Sequence, residues 1–279
     1  MIENQVVSPI RWTLIALFFL ITLVSGFVYS GIMQVIIPIA SVLTFFLAMF
    51  LHGNERYGLK NIIIFFVITW VVSHFFEAMS IQIGFPFGYY HYDKMPGPRI
   101  AEVPILIMLA YFGTGYASWI LSNVLLNQYN KKLAGHQIFL VPLIATFIMV
   151  IWDLCMDPIA STVGSLWVWR DGGSYFGVPL QNYFGWFLVV YIVFQLFAVY
   201  IAKYDNYYPA RSAVFASKIF WMEAVAVYAV QALSQLTNPI TQTDHMDIYG
   251  PMVLVTIFSM VFIVLISWIK IYTDPVRGG

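Results

Sequence analysis

An all-α bundle of membrane-crossing helices is the fold class this sequence predicts, and three observations carry it. Hydrophobic residues make up 61% of the 279 and charged residues only 9%, where ordinary soluble chains hold about 25% charged residues. Apolar runs near the 20 residues that a helix needs to cross a bilayer core occur eight times. No period-2 alternation of the barrel kind runs through them, and lipid offers an open backbone no partners, so helices are the economical spanning structure.

The first two spans, at about residues 11–30 and 31–51, follow one another through Ser30 and Gly31 without a polar break. The first lacks a convincing small-residue cleavage site, so the pair reads as an uncleaved hairpin rather than a signal peptide and its neighbour. A short polar connector, LHGNERYGLK, leads to the third span at 61–81, where Trp70, His74 and Glu77 follow the i, i+4, i+7 spacing of one helix face. The fourth span, 103–125, contains GTGYAS; with no strand before it, this is a helix-packing feature and not a dinucleotide loop. The fifth, 137–157, ends on Asp153 and Asp157, one helical turn apart. The sixth runs over 183–202, the seventh over 213–235 with Glu223 near mid-membrane, and the eighth over 251–271 with Lys270 at its end. Nothing in the chain marks a repeat, a low-complexity tract or a linker, so residues 1–279 read as one integral membrane domain.

Counting Lys and Arg on alternate sides of these spans gives ten on one side, Arg211 and Arg277 among them, and three on the other, Lys94, Arg99 and Arg170. The positive-inside rule then puts both termini in the cytoplasm of a multi-pass cell-membrane protein. Net charge is zero, which leaves no basic footprint for nucleic acid. The single cysteine, Cys155, excludes an intrachain disulfide framework and reads as a packing residue.

The acids lie on the side away from the termini. Eight of the thirteen, including Glu77, Asp153 and Asp157, fall in that outer half, next to long loops rich in Gly, Pro and aromatic residues. A carboxylate inside hydrocarbon costs about 2.5 kcal/mol or more, so such a residue is presumed functional. Asp157 precedes Pro158 and has a plainer reading as the end of the fifth span, at the interface. Counted from the cytoplasmic ends of spans three and five, Glu77 and Asp153 reach a similar depth, where they are expected to face one another across a shared cavity.

The five histidines are scattered, with no HxxxH or HxxHH cluster to hold a metal for oxygenase chemistry. DLCMD is too sparse for a magnesium-bound diphosphate, a GxSxG elbow is missing, and Lys270 sits at a helix end rather than mid-span as a retinal attachment would. What remains is a site of carboxylic acids and aromatic rings that needs neither metal nor cofactor. Acids in an apolar setting can protonate a carbon–carbon double bond, and Trp, Tyr and Phe faces can stabilise the resulting cation. That chemistry belongs to a hydratase or a cyclase acting on an isoprenoid.

Four blocks, EAMSIQIGFPFGYYHY at 77–92, WDLCMDPIA at 152–160, WVW at 167–169 and YFGVPLQNYFGWF at 175–187, together carry a resemblance. In this order, across about residues 60–270, they resemble the membrane-embedded carotenoid biosynthesis proteins of the CruF type, the carotenoid 1,2-hydratases. The resemblance implies addition of water across the terminal C1–C2 double bond of an acyclic carotenoid end, without a redox cofactor. Lycopene, γ-carotene and the fifty-carbon precursor of bacterioruberin are the substrates it implies, in a bilayer shared with other carotenoid biosynthesis enzymes. Because haloarchaeal members tend to be acidic, the neutral chain favours a lycopene or γ-carotene type.

The expected roles follow from placing that chemistry on these residues. Asp153 or Asp157 is the acid that protonates C2, and the partner carboxyl or Glu77 takes a proton from the attacking water. Tyr90, Tyr92, Trp152, Trp167, Trp169 and Trp186 are expected to line the end-group pocket, with Asn182 and His74 positioning water and Glu223 adding a further contact. A non-catalytic carotenoid binder or transporter, and a cyclase that quenches the same cation with an internal alkene, are the alternatives.

Overall fold

The structure, a computed structural model, describes residues 8–27, 31–129, 131–205, 217–241 and 244–273. Ser30 of the first turn and Arg211 and Arg277 of the charge count lie outside the described residues. Among the described residues, eight rods build the bundle: α1 (Pro9–Ser25), α2 (Met33–Tyr57), α3 (Leu59–Ile83), α4 (Ile105–Leu125), α5 (Gln137–Asp157), α6 (Leu180–Tyr204), α7 (Lys218–Thr241) and α8 (Met246–Thr273). This is the polytopic helical bundle expected from hydropathy. Seven rods are long and apolar enough to cross a membrane; α1, at 17 residues, is shorter.

Local chemistry sets where the rods begin and break. Pro9 sits at the start of α1, where its missing N–H is not needed, and the Ser8 hydroxyl accepts from the Arg11 backbone N–H. The LHGNERYGLK connector departs from expectation: α2 runs on through His52, Arg56 and Tyr57, all buried, and only Gly58 separates it from α3. Gly58 has φ +79°, a conformation that costs glycine little, so a single residue turns the chain.

Two prolines inside or at the end of α5 leave carbonyls without their helical donors. Gln195 of α6 donates to the Ile138 carbonyl, four residues before Pro142, at 3.1 Å. The Tyr175 hydroxyl donates to the Leu154 carbonyl, four residues before Pro158, at 3.3 Å. So supported, the helix does not stop at Pro158 but widens into a π-turn over Pro158–Val163. Asp157 therefore lies inside a continuous rod and is 1% exposed, which removes the reading that it marks an interfacial helix end.

Helix α3 shows how lipid and interior select its faces. Val67, Val71 and Phe75 point outward, while Thr69, Ser73, Glu77 and Ser80 form the buried stripe. Trp70 and His74 fall on the flank of that stripe and are only half-buried, so the expected Trp70–His74–Glu77 face is not the one that points inward.

Helix α4 is the central rod, packed against α2, α3, α5 and α7. Its GTGYAS segment is buried throughout and lets neighbours approach closely: Gly113 lies against the Phe45 ring of α2, and Gly115 against Met149 and Phe194. A methyl group at Gly113 would overlap the Phe45 ring. Gly113→Ala is thus expected to cost about 1–3 kcal/mol by overpacking. Its unfolding midpoint in detergent should fall, whereas Gly250→Ala, whose added Cβ meets open space, should leave the midpoint unchanged or slightly raised.

At one end of the bundle the long α3–α4 and α5–α6 loops are clipped together. Strand β1 (Tyr90–Tyr92) pairs antiparallel with β4 (Trp167–Trp169), Tyr90 opposite Trp169 and Tyr92 opposite Trp167. A second, shorter pair, β2 (Arg99–Ile100) with β3 (Val103–Pro104), leads into α4.

Candidate functional site

Strand alternation aims the rings of this ribbon. Successive residues on a strand point to opposite faces, so Tyr90 and Tyr92 turn inward while His91 between them is exposed; Val168 is likewise exposed between Trp167 and Trp169. All four inward rings sit on the wall of one cavity of about 50 Å³. At about 10–15 Å³ for each water by this kind of measure, it has room for a few water molecules.

Four helices bring polar groups to the same cavity. From α3, Glu77 accepts hydrogen bonds from three phenols: Tyr111 of α4 at 2.7 Å, Tyr92 at 2.9 Å, and Tyr90. Three O–H donors suit a group that only accepts, as a carboxylate does. Burial, and after it the charge of Glu77, holds the Tyr90 and Tyr92 hydroxyls well above the usual phenol range, so both stay protonated donors.

The aspartates of α5 have a different setting. Asn182, in the first turn of α6, donates through one side-chain amide to both Asp157 Oδ2 at 2.7 Å and Asp153 Oδ2 at 3.0 Å. The Trp167 indole N–H donates to Asp157 Oδ1 at 2.8 Å. Asp153 Oδ1 is buried and has no hydrogen-bond partner among the described residues. The i, i+4 spacing on α5 is what lets a single amide reach both acids.

Aromatic faces close the cavity. Tyr111 stacks on Trp186 with centroids 4.6 Å apart and planes 1° from parallel. Trp152 meets Trp186 edge-on at 5.9 Å, and Tyr90 packs on Trp169 at 5.0 Å. These rings offer their negative faces to any positive charge that forms between them.

Of the residues singled out from the sequence, Glu77, Asp157, Tyr90, Tyr92, Trp152, Trp167, Trp169, Asn182 and Trp186 line this cavity. Asp153 stands one hydrogen bond behind it, through Asn182. Two residues are elsewhere. His74 lies on the flank of α3, its Nδ1 without a hydrogen-bond partner among the described residues. Glu223, expected at mid-membrane, is only five residues into α7, which begins at Lys218, and forms a buried ion pair with Arg11 of α1. Sequence reasoning passed over Tyr111, Phe87 and Met156, which also line the cavity. Tyr111 carried a usable signal, a hydroxyl inside an apolar span, which in lipid must find a partner.

A second cavity, of about 510 Å³, shares Ile107, Ala110, Trp152, Met156 and Trp167 with the first. Most of its wall is apolar, contributed by α1, α2, α4, α5 and the π-turn, with polar side chains from α7. The arrangement is a small, acid-bearing, ring-lined chamber next to a larger, mainly apolar one.

Comparison with known proteins gives two matches. The family model described as carotenoid biosynthesis protein matches residues 33–248. Bisanhydrobacterioruberin hydratase of Haloarcula japonica is 29% identical over 126 residues, which is 45% of this chain and 41% of that protein. The match thus spans about two fifths of that relative's length. No solved structure matches the chain.

Proposed function

The chain belongs to the carotenoid biosynthesis protein family, and from that premise we propose that it hydrates the terminal C1–C2 double bond of an acyclic carotenoid end group, of the lycopene, γ-carotene or bisanhydrobacterioruberin type. The observation that carries this reading is that Asp157 and Glu77, from separate helices, stand on the wall of one ring-lined cavity that adjoins a larger apolar one.

The chemistry asks four things of the protein. The hydrocarbon chain lies in the larger cavity, and its end reaches past Trp152 and Trp167 toward the acids. Asp157, the aspartate on the cavity wall, gives a proton to C2, and the tertiary cation left at C1 is held by the faces of Trp186, Trp152 and Tyr111. Water captures the cation at C1 and loses a proton to Glu77, so the sum of the steps is one added water and no redox change. The proton left on Glu77 returns to Asp157 through water in the cavity they share, and Asp153, sharing the Asn182 amide with Asp157, positions the acid. His74 and Glu223 take no part in this scheme. The ten-to-three distribution of Lys and Arg supports cytoplasmic termini, which places the acid chamber near the opposite membrane face.

The test is product mass. The full chain, produced in a lycopene-making host, should yield pigments heavier than lycopene by one or two waters. An isomer of unchanged mass with a new absorption spectrum would instead mean cyclisation, and bound pigment of unchanged mass and spectrum would mean a binder. Either result ends the hydratase reading.

A further inference from the structure

The larger cavity has one feature that a hydrocarbon chain does not use. Helix α7 presents Gln231, Ser234 and Gln235 to it, at the i, i+3, i+4 spacing that puts all three on one face. Gln231 is 5% exposed, and its Nε2 donates to the Thr114 hydroxyl of α4 at 2.8 Å. Its Oε1 is buried and has no hydrogen-bond partner among the described residues. A buried amide oxygen in an apolar setting costs stability until something donates to it.

We propose that the larger cavity binds the hydroxyl group of an isoprenoid alcohol, and that Gln231 is the residue that holds it. With Nε2 toward Thr114 the amide has a free acceptor; turned over, it takes a hydrogen bond from the Thr114 hydroxyl and leaves a free N–H. A hydroxyl both donates and accepts, so it satisfies Gln231 in either orientation. A ketone does so in only one, and a hydrocarbon in neither. The apolar wall, with Phe45, Val42 and Ile159, takes the carbon chain. The isoprenoid identity of the ligand rests on the hydratase reading; its hydroxyl does not. A tertiary isoprenoid alcohol falls within the class, its hydroxyl then lying at Gln231 and not at the acids.

Trp152 and Trp167 stand in the shared wall and give a direct readout. The full chain in detergent micelles is titrated with nerolidol, an acyclic tertiary alcohol, and with farnesene, the hydrocarbon of the same skeleton. Tryptophan quenching is followed, with concentrations expressed per micelle. Wild type should bind nerolidol about fivefold more tightly than farnesene, the scale of one neutral hydrogen bond. Gln231→Leu should bring that ratio to near one, as should Gln231→Met, which keeps the side-chain length in case the first variant does not fold. No preference in wild type, or a preference that survives in either folded variant, overturns the proposal. The hydroxyl preference in a chain that adds no water to lycopene would end the hydratase reading and leave this subsite standing. Hydration with no preference would do the reverse.

Discussion

Asp157→Asn is expected to lower carotenoid hydration by about 10²–10⁴-fold, the range lost when a positioned acid or base is removed. The substitution keeps the size of the side chain and removes the proton it delivers. It also carries a structural cost, because both Asp157 oxygens accept N–H donors, from Trp167 and from Asn182. Turning one oxygen into an NH₂ group sets donor against donor, at about 1–3 kcal/mol. Asp153→Asn is the informative partner. Its Oδ1 has no donor to clash with among the described residues, so an amide fits there without that penalty. The Asp153 variant should fold like wild type and hydrate more slowly, while the Asp157 variant should be nearly silent even where protein accumulates. Pigment extracts analysed by mass, normalised to protein in the membrane, separate the two effects. Wild-type hydration by both variants would remove the aspartates from the mechanism.

The second large effect is on stability, at the far end of the bundle. Arg11 of α1 grips Glu223 of α7 through two N–H groups, the longer bond at 3.2 Å, with the two residues 6% and 0% exposed. A buried pair of this kind contributes little over an apolar replacement, yet removing one partner strands the other charge. Arg11→Met is therefore expected to destabilise the chain by about 3–5 kcal/mol. The double variant Arg11→Met with Glu223→Met should recover most of that loss. Unfolding midpoints in detergent measure both. A single variant as stable as wild type would mean that water or lipid headgroups reach Glu223 freely.

The number of helices and the identity of most chamber residues were legible in the sequence for different reasons. An apolar run of about 20 residues matches the thickness of a bilayer core, and eight of them in one chain fit little besides a polytopic bundle. Acids gathered in the outer half, next to two loops rich in aromatic residues, stood out against a composition with 9% charged residues. What was hidden depended on tertiary pairing. The ribbon rests on strands of three residues, too short to show a period by themselves, and YHY and WVW yield their alternation only once each is set against the other. His74 was misplaced because the i, i+4, i+7 template covers a broad arc. Burial chose the neighbouring line through Thr69, Ser73 and Glu77. Glu223 looked like a mid-membrane acid because the start of its helix was set five residues early, and its true partner lies 212 positions away. The LHGNERYGLK segment read as a polar loop because the burial of His52 and Arg56 cannot be seen in composition.

The ribbon also constrains how the loops of such a chain can change in length. Tyr90, Tyr92, Trp167 and Trp169 share one side only because the two strands are in step, and a slip of β1 by a single residue would exchange its inward groups for their neighbours. Glu77 would lose two of its three donors at once, and His91 would occupy the space vacated by two rings. Deletions and insertions on either side of these strands are therefore tolerable only if they leave the pairing in step or are absorbed before the strands begin. The loop tips beyond Lys94 and Arg170, whose backbone N–H groups still bond across the ribbon, carry no such parity.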